Sequence, residues 1–321
     1  MTGPAAAAAA QPPGAQPPAS LRRRLSTFLI ARPRLTLALV LALPLAWLGV
    51  AYVGALVALL AQSFFTLDDY TGQVVRELTL STYRQLFTAA HLDIVLRTAT
   101  MAAAVTLASA VLGFPVAFLA ARHARGRMRA LFYLGVLLPL WSSYLVRLYA
   151  WKLILAKEGV ATWFIERMGL LGALEAVLEL PVVGGPSLSA SYLGMFVVFV
   201  YMWLPYMVLP IQAALERVPP NLLEASGDLG ARPAATFRHV TWPLAFPGVV
   251  AGSIFTFSLT LGDYIIPGVI GQSNFFIGQA VVIHQGTSGN IPLAAAFSMV
   301  PIAVMAAYLA VARRLGAFDA L

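Results

Sequence analysis

The side chains that could do chemistry are few in this 321-residue chain, and their spacing excludes most kinds of catalysis. Lys152 and Lys157 are the only lysines, and neither follows the glycine pattern of a phosphate-binding P-loop. The sequence contains no cysteine, and its four histidines lack the spacing of metal ligands. No nucleophile stands beside a candidate base and orienting acid. We therefore expect no catalytic residue, metal ion or cofactor on this chain.

The most polar stretch between two apolar runs, residues 221–248, is the best candidate for binding a partner protein. It follows two prolines, so Asn221 is predicted to be an N-cap, and Glu224 three residues later is predicted to complete a capping box. A short helix over residues 222–229 should then stop at Gly230, because glycine tolerates the left-handed turn that ends many helices.

A second short helix is predicted in the same stretch, beginning at Pro233 and ending before Pro243. The two helices would place charged side chains on one side and apolar side chains on the other. The predicted apolar side consists of Leu222, Leu223, Leu229, Phe237 and Val240.

The elements around this stretch are typical of a membrane protein. Apolar residues make up 60% of the chain and charged residues only 11%, whereas soluble domains contain about 25% charged residues. Six apolar runs are long enough to cross a bilayer, which takes about 20 residues. These runs cover residues 35–65, 98–121, 130–146, 187–215, 244–262 and 291–312. The sequence thus predicts an all-α membrane protein with six transmembrane helices in contact with lipid.

The arginines predict how these spans are oriented. They cluster in the N-terminal segment, in the links after the second and fourth spans, and at the C-terminus, so the positive-inside rule places both termini in the cytoplasm. For the same reason, the net charge of +8 does not indicate nucleic-acid binding. We expect a disordered, basic N-terminal tail over residues 1–34 and a transmembrane domain over residues 35–316. A cytoplasmic loop at residues 216–243 and a short tail at residues 317–321 complete the prediction.

Residues 221–248 resemble the EAA motif of permease subunits of ABC importers. The spacing of that motif is met by Glu224, Ala225, Ser226, Gly230, Val240, Trp242 and Pro243. Ser226, Val240 and Trp242 replace the usual Ala, Ile and Leu. Three further segments are similar to the spermidine/putrescine branch of these permeases, namely residues 113–122, 138–151 and 261–267.

This resemblance implies the MetI-like fold of type I ABC importer permeases and a transport subunit that is not itself an enzyme. It would work in the bacterial inner membrane with a second permease subunit, two cytoplasmic ATP-binding subunits that hold ATP and magnesium, and a periplasmic solute-binding protein. The expected solute is small and cationic, with a polyamine such as spermidine or putrescine as the first choice. An opine, an amino acid or another small solute is one alternative. A secondary transporter driven by an ion gradient is another.

The resemblance also gives residues 221–248 a mechanical role, in which they enter a cleft of an ATP-binding subunit and move with it. The expected coupling residues are Leu222, Leu223, Glu224, Ala225, Ser226, Gly230, Val240 and Pro243. Gly230 would let two backbones approach closely. Glu224 would either pair with a basic group of the ATP-binding subunit or cap its own helix.

Charged residues inside predicted spans are costly to bury and are therefore candidates for function. Asp263 and Arg147 lie toward the outer ends of the fifth and third spans, where they would pair with each other, reach the surface, face the solute or contact the binding protein. Aromatic residues recur at helical spacing along the third span, either for packing and the membrane interface or for cation–π contact with a solute. The candidate pathway residues are Trp141, Tyr144, Arg147, Trp151, Asp263 and Tyr264.

Overall fold

The computed structural model describes residues 30–68, 70–181, 183–272 and 275–314. It divides the chain into two units, residues 1–59 and 60–321. Most of the predicted N-terminal tail and the whole C-terminal tail lie outside the described residues. The domain limits and the disorder of the tails therefore stay predictions.

The first long helical segment, Pro33–Gln62, begins in the first unit and is long and apolar enough to cross a membrane. It consists of α1 (Pro33–Trp47), a π-helical turn (Leu48–Val53) and α2 (Gly54–Gln62). Pro33 stands at the start of α1, where its missing N–H has no helical partner to lose.

The rest of the described chain is helical apart from one small hairpin of two strands, β1 and β2. The elements are β1 (Thr66–Leu67), β2 (Val74–Val75), α3 (Ser81–Leu86), α4 (Ala89–Phe118), α5 (Arg127–Trp141), α6 (Tyr144–Ile154), α7 (Val160–Arg167), α8 (Leu171–Leu178), α9 (Tyr192–Arg217), α10 (Pro220–Asp228), α11 (Pro233–Thr236), α12 (Trp242–Gly262), α13 (Ile265–Val269), α14 (Ile277–Gly286) and α15 (Ile291–Arg314). The predicted all-α class is thus confirmed.

Five helices of the described chain meet the length and hydropathy of a membrane span, and a sixth is counted if α5 and α6 form one span. The sequence predicted a continuous third span over residues 130–146, and this is wrong. The helix breaks at Ser142 and Ser143, and α5 and α6 meet at an angle of 97°. Ser142 turns its hydroxyl back to the carbonyl oxygen of Pro139, at 2.9 Å, so the end of α5 is capped locally.

The second span also starts earlier than predicted, at Ala89 instead of residue 98, because α4 extends past Arg97. The link of residues 157–186 contains the two short helices α7 and α8. The glycine-rich link after the fifth span contains α13 and α14.

Three helices, α4, α9 and α12, form the centre of the second unit. They approach closely where small residues remove side-chain bulk, as is common between membrane helices. A methyl group added at Gly252 of α12 would lie 2.9 Å from the carbonyl oxygen of Met207 on α9. One added at Gly248 would lie 2.6 Å from the carbonyl oxygen of Pro210. The loop of residues 218–241 connects these two closely packed helices and defines the loop end of the bundle, and Asp263 follows α12 at the far end.

Candidate functional site

The first helix of the loop, α10, begins two residues earlier than the sequence predicted. Its N-cap is Pro219 and its first residue is Pro220, and no side-chain hydrogen bond caps it among the described residues. The predicted capping box of Asn221 and Glu224 is therefore wrong, because two prolines with fixed φ already start the helix and place Asn221 inside it. Glu224 is exposed on the first turns of α10, and its pairing with a basic group of the ATP-binding subunit stays a prediction.

Gly230 ends this helix in the conformation that the sequence predicted. Its φ is +76°, in the left-handed region that side chains disfavour, and open space surrounds the position where a Cβ would stand. Glycine is therefore required here by backbone conformation, and the space around it is available to a partner. Ser226, where the motif usually has Ala, lies 2.9 Å from the hydroxyl of Thr236 and so joins α10 to α11.

The second loop helix begins at Pro233 as predicted but does not end before Pro243. Instead, α11 continues through a π-helical turn, Phe237–Thr241, directly into α12. Pro243 is accommodated at the second position of α12, where the wider turn before it removes the need for a regular backbone donor. The loop is thus continuous with the fifth span.

An aromatic cluster fixes this junction against the second span. The ring of Phe237 meets that of Phe114 edge-on at 5.8 Å, and Trp242 lies 5.3 Å from Phe114. Phe118 and Phe246 extend the cluster on either side. Trp242, which replaces the usual Leu of the motif, is therefore explained by the aromatic partners that it packs against.

The loop leaves apolar side chains uncovered at its tip. Leu222 is 43% exposed and Leu229 is 88% exposed, whereas Leu223 and Val240 are half-buried. Ala225 is also exposed beside Glu224. Large apolar side chains next to a rigid glycine turn form a small surface of the kind that a protein partner covers.

At the far end of the bundle, Asp263 is already provided with hydrogen bonds. Its Oδ2 accepts from the hydroxyl of Tyr144 at 2.5 Å, and its Oδ1 accepts from the backbone N–H groups of Ile265 and Ile266 at 2.7 and 2.9 Å. The carboxylate thus caps the start of α13 and links the fifth span to α6. Within the described residues no ion pair joins it to Arg147, so the predicted pairing of these two charges is wrong.

The predicted aromatic stripe is divided by the break between α5 and α6. Trp141 ends α5 and is 80% exposed, because the bend turns it away from the residues that follow. Tyr144, Leu148 and Trp151 do share one face, that of α6, and this face packs on α9. There Tyr144 stacks on Trp203 at 6.1 Å, and Trp151 lies 5.0 Å from Tyr201. Tyr264, next to Asp263, is exposed.

Unsatisfied N–H donors surround the Tyr144–Asp263 pair. Nε and Nη1 of Arg147 are buried and have no hydrogen-bond partner among the described residues, and the same is true of Nε1 of Trp203. Buried polar groups normally find a partner, and a buried charge needs one most. This end of the site therefore offers donors for a hydrogen-bond acceptor, beside a carboxylate that already accepts three hydrogen bonds.

Comparison with known proteins places these features in a family. Residues 113–317 match the model of the family described as "Binding-protein-dependent transport system inner membrane component". The chain belongs to this family. It is therefore a permease subunit of an ABC importer and a multi-pass protein of the inner membrane, and its family works with ATP-hydrolysing and solute-binding partners.

Individual relatives agree with this assignment. The permease is 57% identical over 298 residues to the inner membrane ABC transporter permease protein YdcU of Escherichia coli (strain K12), covering 93% of this chain and 95% of that one. It is 30% identical over 254 residues to the spermidine/putrescine transport system permease protein PotB of the same organism, covering 79% and 88% of the two chains.

The fold agrees as well. A chain of the bacterial alginate ABC transporter, solved in complex with an alginate pentasaccharide-bound periplasmic protein, superposes with a TM-score of 0.69 at 14% identity. The match covers 92% of the permease and 98% of that chain. The predicted permease fold is thus confirmed.

One group at the loop end was missed by the sequence analysis. Glu216, in the last turn of α9, accepts hydrogen bonds at Oε1 from Tyr133 Oη and Arg129 Nη2 of α5, both at 2.7 Å, and from Gln212 Nε2 at 3.1 Å. Arg122, at the end of the second span, donates to the carbonyl oxygen of Val218 at 3.2 Å. The sequence signal that could have found it is an acidic residue at the end of the fourth span together with basic residues at the start of the third span.

Proposed function

We propose that the permease couples to its ATP-binding partner through the tip of residues 221–243. The observation behind this proposal is the exposed surface formed by Leu222, Leu229, Glu224 and Ala225, next to a glycine whose backbone no other residue adopts easily. A partner subunit that closes on ATP would pull this tip. Since α11 runs without a break into α12, the pull would tilt the fifth span.

The proposed arrangement places both termini and the loop in the cytoplasm, and the Tyr144–Asp263 end toward the periplasm. The arginine clusters support it through the positive-inside rule. The full importer would contain this chain, a second permease subunit, two ATP-binding subunits and a periplasmic solute-binding protein. ATP and magnesium would be held by the ATP-binding subunits.

The proposed solute is a small cationic molecule, with a polyamine as the first choice. The similarity to PotB over 79% of the chain supports this choice. The carboxylate of Asp263 accepts three hydrogen bonds but keeps an acceptor site on Oδ2 and its negative charge. The cation would therefore be met by this carboxylate together with the aromatic faces of Tyr144, Trp151 and Tyr264.

A second candidate is a solute that carries a carboxylate, such as an amino acid or an opine. The unsatisfied guanidinium nitrogens of Arg147 and the indole N–H of Trp203 favour it, because these donors need an acceptor. An ammonium group alone would leave all three donors unpaired. The carboxylate-bearing solute would therefore need Arg147 for binding, whereas the polyamine would not.

The test is the ATPase rate of the complete complex, reconstituted in lipid with its binding protein and assayed against polyamines, amino acids and opines. Stimulation by a polyamine that survives Arg147→Gln supports the first candidate. Stimulation by a carboxylate-bearing solute that Arg147→Gln abolishes supports the second. Lys152→Gln is the matched control, since Lys152 is exposed on the same helix. If none of these solutes stimulates the complex, both candidates are wrong.

A further inference from the structure

The helix α5, which forms the first half of the bent third span, is loosely packed. None of its fifteen residues, all of them described, is buried, although it lies beside the helical core. An open cavity of about 420 Å³ lies between it and parts of α4 and α9. Phe132, Gly135 and Val136 line the cavity on the α5 side, and Val116, Leu204 and Val208 line it on the other. This helix therefore has room to move toward the core.

One end of α5 has the geometry of a hinge. The chain leaves the helix at Ser142 and Ser143 and turns by 97° into α6. The following helix is held firmly, because Leu148 is fully buried and Tyr144 is bonded to Asp263. Rotation of the two serines would move α5 while α6 stays in place.

The other end of α5 is fastened at the root of the loop. Arg129 and Tyr133 both donate to the same oxygen of Glu216, which lies four residues before the first residue of α10. The side chain of Glu216 is 28% exposed, so this contact is partly shielded from water. With few apolar contacts along α5, these polar contacts determine where its loop end lies.

We propose that Glu216 is a positioning residue that transmits movement of the loop to the third span. When the loop is pulled, the end of α9 takes Arg129 and Tyr133 with it. The helix α5 then swings about Ser142 and Ser143 across the cavity. The proposal rests on the coupling role of the loop given above.

The test is a distance measurement between spin labels in the complete importer. The chain has no cysteine of its own, so Leu134→Cys on α5 and Leu112→Cys on α4 place its only two labels at exposed positions, in an importer whose other subunits carry no reactive cysteine. The distance is measured without nucleotide and with ATP trapped by vanadate. In the otherwise unchanged chain we expect the trapped state to shift the distance. In Glu216→Ala the shift should fall to less than half.

Three comparisons separate positioning from mere stability. Glu216→Gln keeps an acceptor oxygen for Tyr133 and should retain most of the shift. The exchange of charges in Glu216→Arg with Arg129→Glu should restore part of what Glu216→Ala loses. Solute transported per ATP should fall several-fold in Glu216→Ala, while the amount of bound ATP-binding subunit stays unchanged.

The outcomes distinguish this inference from the coupling proposal. If the ATP-binding subunit binds but the label distance does not change on trapping, or changes equally in Glu216→Ala, the role of Glu216 is wrong and the coupling loop stands. If a loop variant such as Gly230→Asp leaves both ATP-subunit binding and coupled transport intact, the coupling loop itself is wrong and the inference falls with it.

Discussion

Two parts of the second unit are packed in opposite ways. The helices α9 and α12 touch backbone to backbone at Gly248 and Gly252, where even a methyl group would meet a carbonyl oxygen within 3 Å. The helix α5 faces the same α9 across a cavity, and Gly135 at its centre has open space around it. Tightly packed helices move together, whereas a helix over a cavity can move separately.

This difference in packing indicates how a force on the loop can move the transmembrane helices. The loop joins the two tightly packed helices, so a force on it moves them as one body. The loosely packed helix is held to that body by the hydrogen bonds of Glu216 and by partly buried side chains such as Val136, and it joins α6 at the serine break. The tightly packed helices α9 and α12 would therefore transmit the movement of the loop, and α5 would move further than they do.

The largest expected loss of stability comes from replacing a glycine between the tightly packed helices α9 and α12. In Gly252→Ala the new methyl group would stand 2.7 Å from Met207 Sδ, and such overpacking costs about 1–3 kcal/mol. The thermal midpoint of the detergent-purified complex should fall accordingly. Gly135→Ala is the matched control on α5. There the added methyl group meets open space, and the midpoint should hold or rise, because Ala favours a helix over Gly by about 1 kcal/mol. An equal decrease of the thermal midpoint in both variants would contradict the difference in packing between the two regions.

A somewhat smaller effect is expected in the loop that joins the pair. Gly230→Ala forces a side chain into the left-handed region, at a cost of roughly 1–2 kcal/mol. We expect the ATP-binding subunit that co-purifies with the permease to decrease by about 5–30-fold. Gly227→Ala, three residues earlier in α10 and also in open space, should bind the subunit normally. Normal binding in both variants would show that the turn does not shape the docking surface.

The smallest effect is expected where the loop meets the second span. Trp242→Leu restores the residue usual in the motif but removes rings that pack on Phe114 and Phe246, contacts worth about 0.5–1.5 kcal/mol. We expect a slightly lower thermal midpoint and unchanged binding of the ATP-binding subunit. A variant as stable as the parent chain would mean that the aromatic cluster does not fix this junction.

The sequence was a reliable guide wherever one local cause decides the structure. Apolar runs of sufficient length predicted the spans, and the spacing around Gly230 predicted a turn that is indeed left-handed. Asp263 and Tyr144, two of the candidate pathway residues, share a hydrogen bond that the sequence did not predict.

The errors arose where several local signals compete. Pro243 is a helix breaker by itself, yet a π-helical turn before it lets the helix continue. Ser142 and Ser143 lie within a run that is apolar enough to be one span, so hydropathy alone gave no sign of the break. The bonds of Glu216 join residues 83 and 87 positions apart on two helices, a distance at which no sequence periodicity applies.

Coupling through the loop requires that its tip is the surface that meets the ATP-binding subunit. In the cysteine-free chain, Leu222→Cys can be labelled with a photo-crosslinker and irradiated in the complete importer. Leu78→Cys is the control, since Leu78 is 80% exposed in the link before α4, which begins at the far end of the bundle. We predict a crosslink to the ATP-binding subunit from Leu222→Cys and none from Leu78→Cys. A crosslink from Leu78→Cys, or its absence from Leu222→Cys in an importer that still transports, would contradict both the docking surface and the proposed orientation.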